Sequence, residues 1–140
     1  MFSQFGGYYK QRNMMNIDRI DHFVLTVRDV QVTCDFYARV LGMTVISFGE
    51  GRKALRFGSQ KINLHQAGQE FEPKATAPTP GAADFCLITN TLIEDVYAHL
   101  KSNHISALMP PSERDGAAGK IRSVYFHDPD GNLVEVSNMM

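Results

Sequence analysis

Asp21-His22-Phe23-Val24-Leu25-Thr26-Val27 decides the reading of this chain, because it returns in altered form as Ala83-Asp84-Phe85-Cys86-Leu87-Ile88-Thr89. In each copy a residue able to ligate a metal precedes Phe and a run of apolar and β-branched residues, the composition of a strand. His22 and Asp84 therefore occupy equivalent places about 62 residues apart. A unit used twice predicts that function lies where the two copies meet.

Working outward, each copy is followed by the same order of elements. Asp29 caps a helix whose Val32, Phe36, Tyr37, Val40 and Leu41 share one face, and Gly42 ends it in the left-handed region. Strands are expected over Met43–Phe48, Arg52–Phe57 and Lys61–His65, with turns at Gly49-Glu50-Gly51 and Gly58-Ser59-Gln60. In the second half, Thr91 and Glu94 fit a capping box, Ile93, Val96, Tyr97 and Leu100 line a helix face, and Asn103 stands where Gly42 stood. A short strand near Ile105–Met109, a loop from Pro110 to Lys120 and a strand over Ile121–Phe126 follow. His127-Asp128-Pro129-Asp130-Gly131 is a turn, and Asn132–Val136 closes the unit.

The expectation is an α+β domain of two repeated βαβββ units forming a curved mixed-sheet cup. Residues 1–16 read as a flexible N-terminal arm and 17–140 as one domain. Within it, unit one spans about 17–67, a Pro- and Ala-rich linker about 68–81, which is placed to cover a cavity, and unit two about 82–138.

A chain of 140 residues with 44% apolar content can bury a core as one domain. Its net charge of −1, without a run of Lys or Arg, gives no nucleic-acid or anionic-membrane surface. No apolar run approaches a membrane span, and the two cysteines, Cys34 and Cys86, do not make a secreted disulfide scaffold. The expected setting is cytoplasmic, with a small-molecule partner.

Matching the ends of the two units pairs His22 with Asp84 and His65 with Glu135. Alternation along strands lets all four face one hollow, and two imidazoles with two carboxylates suit nickel, zinc or cobalt, with manganese or ferrous iron as alternatives. Taken singly, each has a plainer reading: a strand-end histidine, a solvated turn acid, an edge charge. Agreement across both repeats favours the ligand set.

The quoted strand, Phe36-Tyr37 with Leu41-Gly42-Met43, and Tyr125-Phe126-His127-Asp128-Pro129-Asp130-Gly131-Asn132-Leu133-Val134-Glu135 together resemble the vicinal oxygen chelate superfamily. That superfamily includes glyoxalase I, methylmalonyl-CoA epimerase, fosfomycin-resistance thiol transferases, bleomycin-binding proteins and extradiol dioxygenases. Arg52-Lys53-Ala54-Leu55, Ile62-Asn63-Leu64-His65 and Phe71-Glu72-Pro73-Lys74-Ala75 are similar to glyoxalase domain-containing protein 5 and its bacterial lactoylglutathione-lyase-like relatives.

The resemblance implies a divalent ion held by His22, His65, Glu135 and, least securely, Asp84. It implies a lyase or isomerase that stabilises an enediolate of a small carbonyl or thiol adduct, with Glu135 as the base. It also implies a homodimer, with each cup built within one chain or across two. Glyoxalase I matches at His22 and Glu135 and usually has Glu and His in place of His65 and Asp84.

Arg122, Lys120 and Cys86 are candidates for substrate binding, with Arg114 on the neighbouring loop; a core position is the plainer reading of Cys86. The rival functions are a ferrous ring-cleaving dioxygenase and a metal-free binder of the bleomycin type.

Overall fold

The computed structural model describes residues 15–140, so the expected arm at 1–16 lies almost wholly outside the described residues. Two four-stranded mixed sheets make up the molecule. The first has the order β1-β4-β3-β2, from His22–Val27, Gln60–Gln66, Arg52–Phe57 and Thr44–Phe48. The second has the order β5-β8-β7-β6, from Asp84–Ile88, Leu133–Met139, Gly119–His127 and Ser112–Gly116. Helix α1 (Val30–Leu41) follows β1, and α2 (Ile93–Ser102) follows β5. In both units the first and last strands are parallel neighbours, which the intervening helix crossover permits. The expected βαβββ duplication and its cup-forming sheets are the observed fold.

Helix α1 starts and stops as the sequence expects. The Asp29 carboxylate accepts from the amides of Gln31 and Val32, and Gly42 takes φ 68° while its amide and that of Met43 reach the carbonyls of Ala38 and Tyr37.

Helix α2 departs from expectation at both ends. Thr91 and Glu94 form no capping box; the amide of Ile93 donates instead to Asn138 Oδ1 at 2.8 Å, and Asn138 Nδ2 donates to the carbonyls of Thr89 and Thr91. The cap comes from β8, 45 residues away, while Glu94 is drawn off by Arg122. At the other end Asn103 keeps φ −98°, and the left-handed residue is His104 at φ 60°.

The expected strand at Ile105–Met109 is also displaced. Among the described residues its one backbone link to the sheet is Leu108 N to Tyr125 O, and the edge strand forms at Ser112–Gly116, inside the segment read as a loop. Ser-Glu-Arg-Asp is a polar edge strand, which lacks the apolar alternation that marks a buried one.

A single core runs through both units, from Leu25, Val27, Tyr37, Leu55 and Ile62 to Ile93, Leu100, Phe126 and Val134. The His127–Gly131 turn fastens the two units. Asp128 is buried and accepts from the amides of Asp130 and Asn132, from Asn132 Nδ2 and from the Tyr37 hydroxyl. Asn132 Oδ1 accepts from Ala83 N at the start of β5, and Asp130 accepts from Arg28 N at the end of β1. Phe23 and Phe85 complete the junction with ring centroids 5.0 Å apart.

Candidate functional site

Strand parity assigns each side chain to a face. Leu25, Val27, Ile62, Leu64, Val134 and Val136 point into the core under the helices, so the alternate residues form the opposite, concave face. In β1 these are His22, Val24 and Thr26; in β4, Lys61, Asn63 and His65. In β5 they are Asp84, Cys86 and Ile88, and in β8, Leu133, Glu135 and Ser137. All four expected ligands therefore lie on the concave side.

Register corrects one of the pairings. Val24 stands beside Asn63 as Cys86 stands beside Glu135, whereas His65 stands beside Thr26 as Ser137 stands beside Ile88. Since His22 and Asp84 open their strands alike, the unit-one counterpart of Glu135 is Asn63, not His65. Sequence reading missed Asn63 because it matched strand ends by residue type. The alternation Ile62-Asn63-Leu64 against Val134-Glu135-Val136 carries the signal.

His22 and Asp84 open onto one cavity of about 430 Å³ between the edge strands. The Nδ1 of His22 lies 2.8 Å from the Asp21 carboxylate, the contact by which a carboxylate orients an imidazole and leaves Nε2 for a cation. The same contact holds the Asp21 carboxyl below its usual range.

Glu135 lines a second cavity of about 560 Å³ with Cys86, Arg114 and Tyr125. Ser123 Oγ donates to its Oε2 at 2.6 Å, and Ser137 Oγ lies 2.6 Å from that of Ser123. Burial, then the Glu135 carboxylate, pushes the Tyr125 phenol up, and the Arg114 guanidinium sits 5.3 Å from the Tyr125 ring centre.

Cys86 is exposed on this face rather than in the core, with Sγ 3.3 Å from Ser137 Oγ. Desolvation of the sulfur raises its thiol above the ordinary value, so it is no ready thiolate.

His65 belongs to a third cavity of about 500 Å³, also lined by Pro73, Lys74 and Pro78 from the 68–81 segment. Its ring is buried, meets Phe71 edge-on at 5.6 Å, and has Nε2 without a hydrogen-bond partner. Burial, then the nearby Arg52 charge, holds this imidazole below its usual range. Asn63 Oδ1 is likewise buried and unpartnered.

Two expected substrate residues point elsewhere. Arg122 faces α2 and donates twice to Glu94, and Lys120 pairs with Asp115 across the β6–β7 hairpin. Both sit on the parity of β7 opposite to Ser123 and Tyr125, so neither reaches the concave face. Among the described residues of one chain, no three His, Cys, Asp or Glu side chains converge closely enough for an ion.

A family model described as the Glyoxalase/Bleomycin resistance protein/Dioxygenase superfamily matches residues 19–136. The chain belongs to that superfamily. It is 57% identical over 123 residues to virulence protein STM3117 of Salmonella typhimurium, covering 88% of this chain and 85% of that protein. It is 50% identical over 129 residues to glyoxalase domain-containing protein RDO1 of Mycosarcoma maydis, covering 92% and 73%.

Among solved structures, the crystal structure of the Salmonella protein superposes with a TM-score of 0.89 at 56% identity, covering 90% of this chain and all of that one. Lactoylglutathione lyase from Agrobacterium tumefaciens superposes at 0.67 with 22% identity, covering 89% of this chain and 96% of that one, a likeness of fold alone. The superfamily includes metal-dependent glyoxalases, dioxygenases and bleomycin binders. No described helix is long and apolar enough to cross a membrane.

Proposed function

We propose that this chain is a metal-dependent glyoxalase-like enzyme, a lyase or isomerase of small carbonyl or thiol-adduct substrates, acting as a homodimer. The observation that supports this reading is that His22 and Asp84, at equal positions of β1 and β5, line one cavity between those strands, while Glu135 lies on the concave face of the neighbouring β8.

The donor set fits a divalent ion. Among the described residues, His22 has Nδ1 engaged by Asp21, the Asp84 carboxylate makes no hydrogen bond, and Asn63 offers a buried oxygen with nothing to accept from. One imidazole with three oxygens is a borderline-to-hard set, suited to nickel, zinc, cobalt, manganese or ferrous iron. His22, Asn63, Asp84 and Glu135 would hold the ion, because Asn63 stands at the β4 register position that Glu135 has on β8, whereas His65 stands two residues further on, beside Thr26.

Since the described residues of one chain do not gather three ligands, pairing of two copies over the concave face would complete the set around each His22–Asp84 cavity. Val24, Ile88 and Met139, 43%, 54% and 50% exposed on that face, are the apolar residues such pairing would cover.

When bound, the ion supplies Lewis-acid polarisation of a substrate carbonyl and stabilises the enediolate character of the transition state. Glu135 moves the proton between adjacent carbons. Its Oε2 is fixed by Ser123, and the proton is taken at Oε1. Tyr125 and Arg114 border the same cavity and confine the substrate.

The test is turnover of hemithioacetals and small hydroxyketones by the ion-loaded protein and by Glu135→Gln. Loss of about 10²-fold or more in the variant, at an ion concentration that saturates both proteins, is the expected result; equal turnover removes Glu135 as the base.

A further inference from the structure

Four buried side-chain polar atoms lack a hydrogen-bond partner among the described residues, and three of them share one patch: Arg52 Nε, Asn63 Oδ1 and His65 Nε2. Asn63 and His65 alternate on β4, and Arg52 lies across from His65, one step beyond the Lys53–Leu64 pair of the β3–β4 ladder. The Arg52 guanidinium is held between two aromatic rings, 4.9 Å from the centre of Phe48 and 4.8 Å from that of Phe71, and forms no ion pair among the described residues. Buried polar atoms are rarely left unmet by protein, ordered water or a bound ligand.

We infer that Arg52 and His65 form an oxyanion subsite, roofed by Phe71 of the 67–81 linker, that binds a carboxylate of the substrate. The Nε–H of Arg52 and, in its Nε2-protonated tautomer, the His65 ring supply two donors to one anion. The Phe48 and Phe71 rings flank the guanidinium that would meet the anion. The adjoining cavity, about 500 Å³ and lined by Val24, Thr26 and His65, holds a molecule of a few carbons beyond the anion. Asn63, two residues from His65 on the same face, puts the carboxylate end beside the proposed ion site. The word "substrate" rests on the function proposed above, but the subsite does not, because its donors are not the proposed ligands.

The full-length protein, stripped of metal with chelator, is titrated calorimetrically with malate, with its uncharged diamide and with inorganic phosphate. Saturable malate binding is expected, with the diamide and phosphate each weaker by about tenfold or more. Arg52→Gln is expected to weaken malate by about the same factor while leaving zinc binding at the ion site unchanged. Diamide binding equal to malate in the wild-type protein overturns the proposal whether or not the variant folds. Phosphate binding tighter than malate overturns the carboxylate assignment, and undiminished malate binding by Arg52→Gln removes that residue. Because chelator is present, failure of the ion site leaves these outcomes readable, and failure here leaves the ion site standing.

Discussion

Asn63 and Glu135 occupy equivalent places in the two units, each on the closing parallel strand and each beside the third residue of the opening one. One is a buried amide whose oxygen has no donor; the other is a carboxylate held by Ser123. The duplication has thus kept an oxygen donor in both places while letting its charge diverge.

Replacing Asn63 by Asp tests that equivalence. A carboxylate there is buried without a donor, so the metal-free variant is expected to lose about 1–3 kcal/mol or more of stability. Zinc or nickel should then raise its Tm by more than it raises that of the wild type. Thermal scans with and without ion measure this, and an equal increment in both proteins would separate Asn63 from the ion.

Tyr37→Phe removes one hydroxyl from the cluster that joins the units. Asp128 keeps its other donors, so the loss is one buried hydrogen bond to a carboxylate, about 1.5–3 kcal/mol by urea unfolding. The tyrosine is buried, and its phenol is pushed up first by desolvation and then by Asp128, so it stays a donor.

For the second helix, Asn138→Ala is expected to cost about 1–2 kcal/mol, because it frees the Ile93 amide and two carbonyls together. Thr91→Ala should change stability by less than about 0.5 kcal/mol, since its side chain caps nothing. The reverse order would restore the capping box read from sequence.

That helix shows where sequence was legible and where it was not. Local chemistry read correctly: Asp29 and Gly42 bound α1, and the Asp128–Gly131 turn closes as its residues require. Long-range chemistry did not, because the cap of α2 comes from a strand 45 residues on and Arg122 finds its partner on that helix. The edge strand β6 was hidden by its own polarity. At the site, the concave face was legible from alternation and repetition. Register was not, since pairing by residue type chose His65 where the ladder sets Asn63.

The concave face supplies a test of assembly. Ile88→Lys places a charge among Val24, Ile88 and Met139 and is expected to give a monomer by sedimentation. Leu92→Lys, 65% exposed at the start of α2, should leave the dimer intact.

Metal titration of the chelator-treated protein tests the central claim most directly. One zinc or nickel ion per chain is expected, with affinity lost in His22→Ala and in Asp84→Ala but kept in His65→Gln. Binding undiminished in His22→Ala, or abolished only in His65→Gln, would contradict the ligand set on which the proposed chemistry stands.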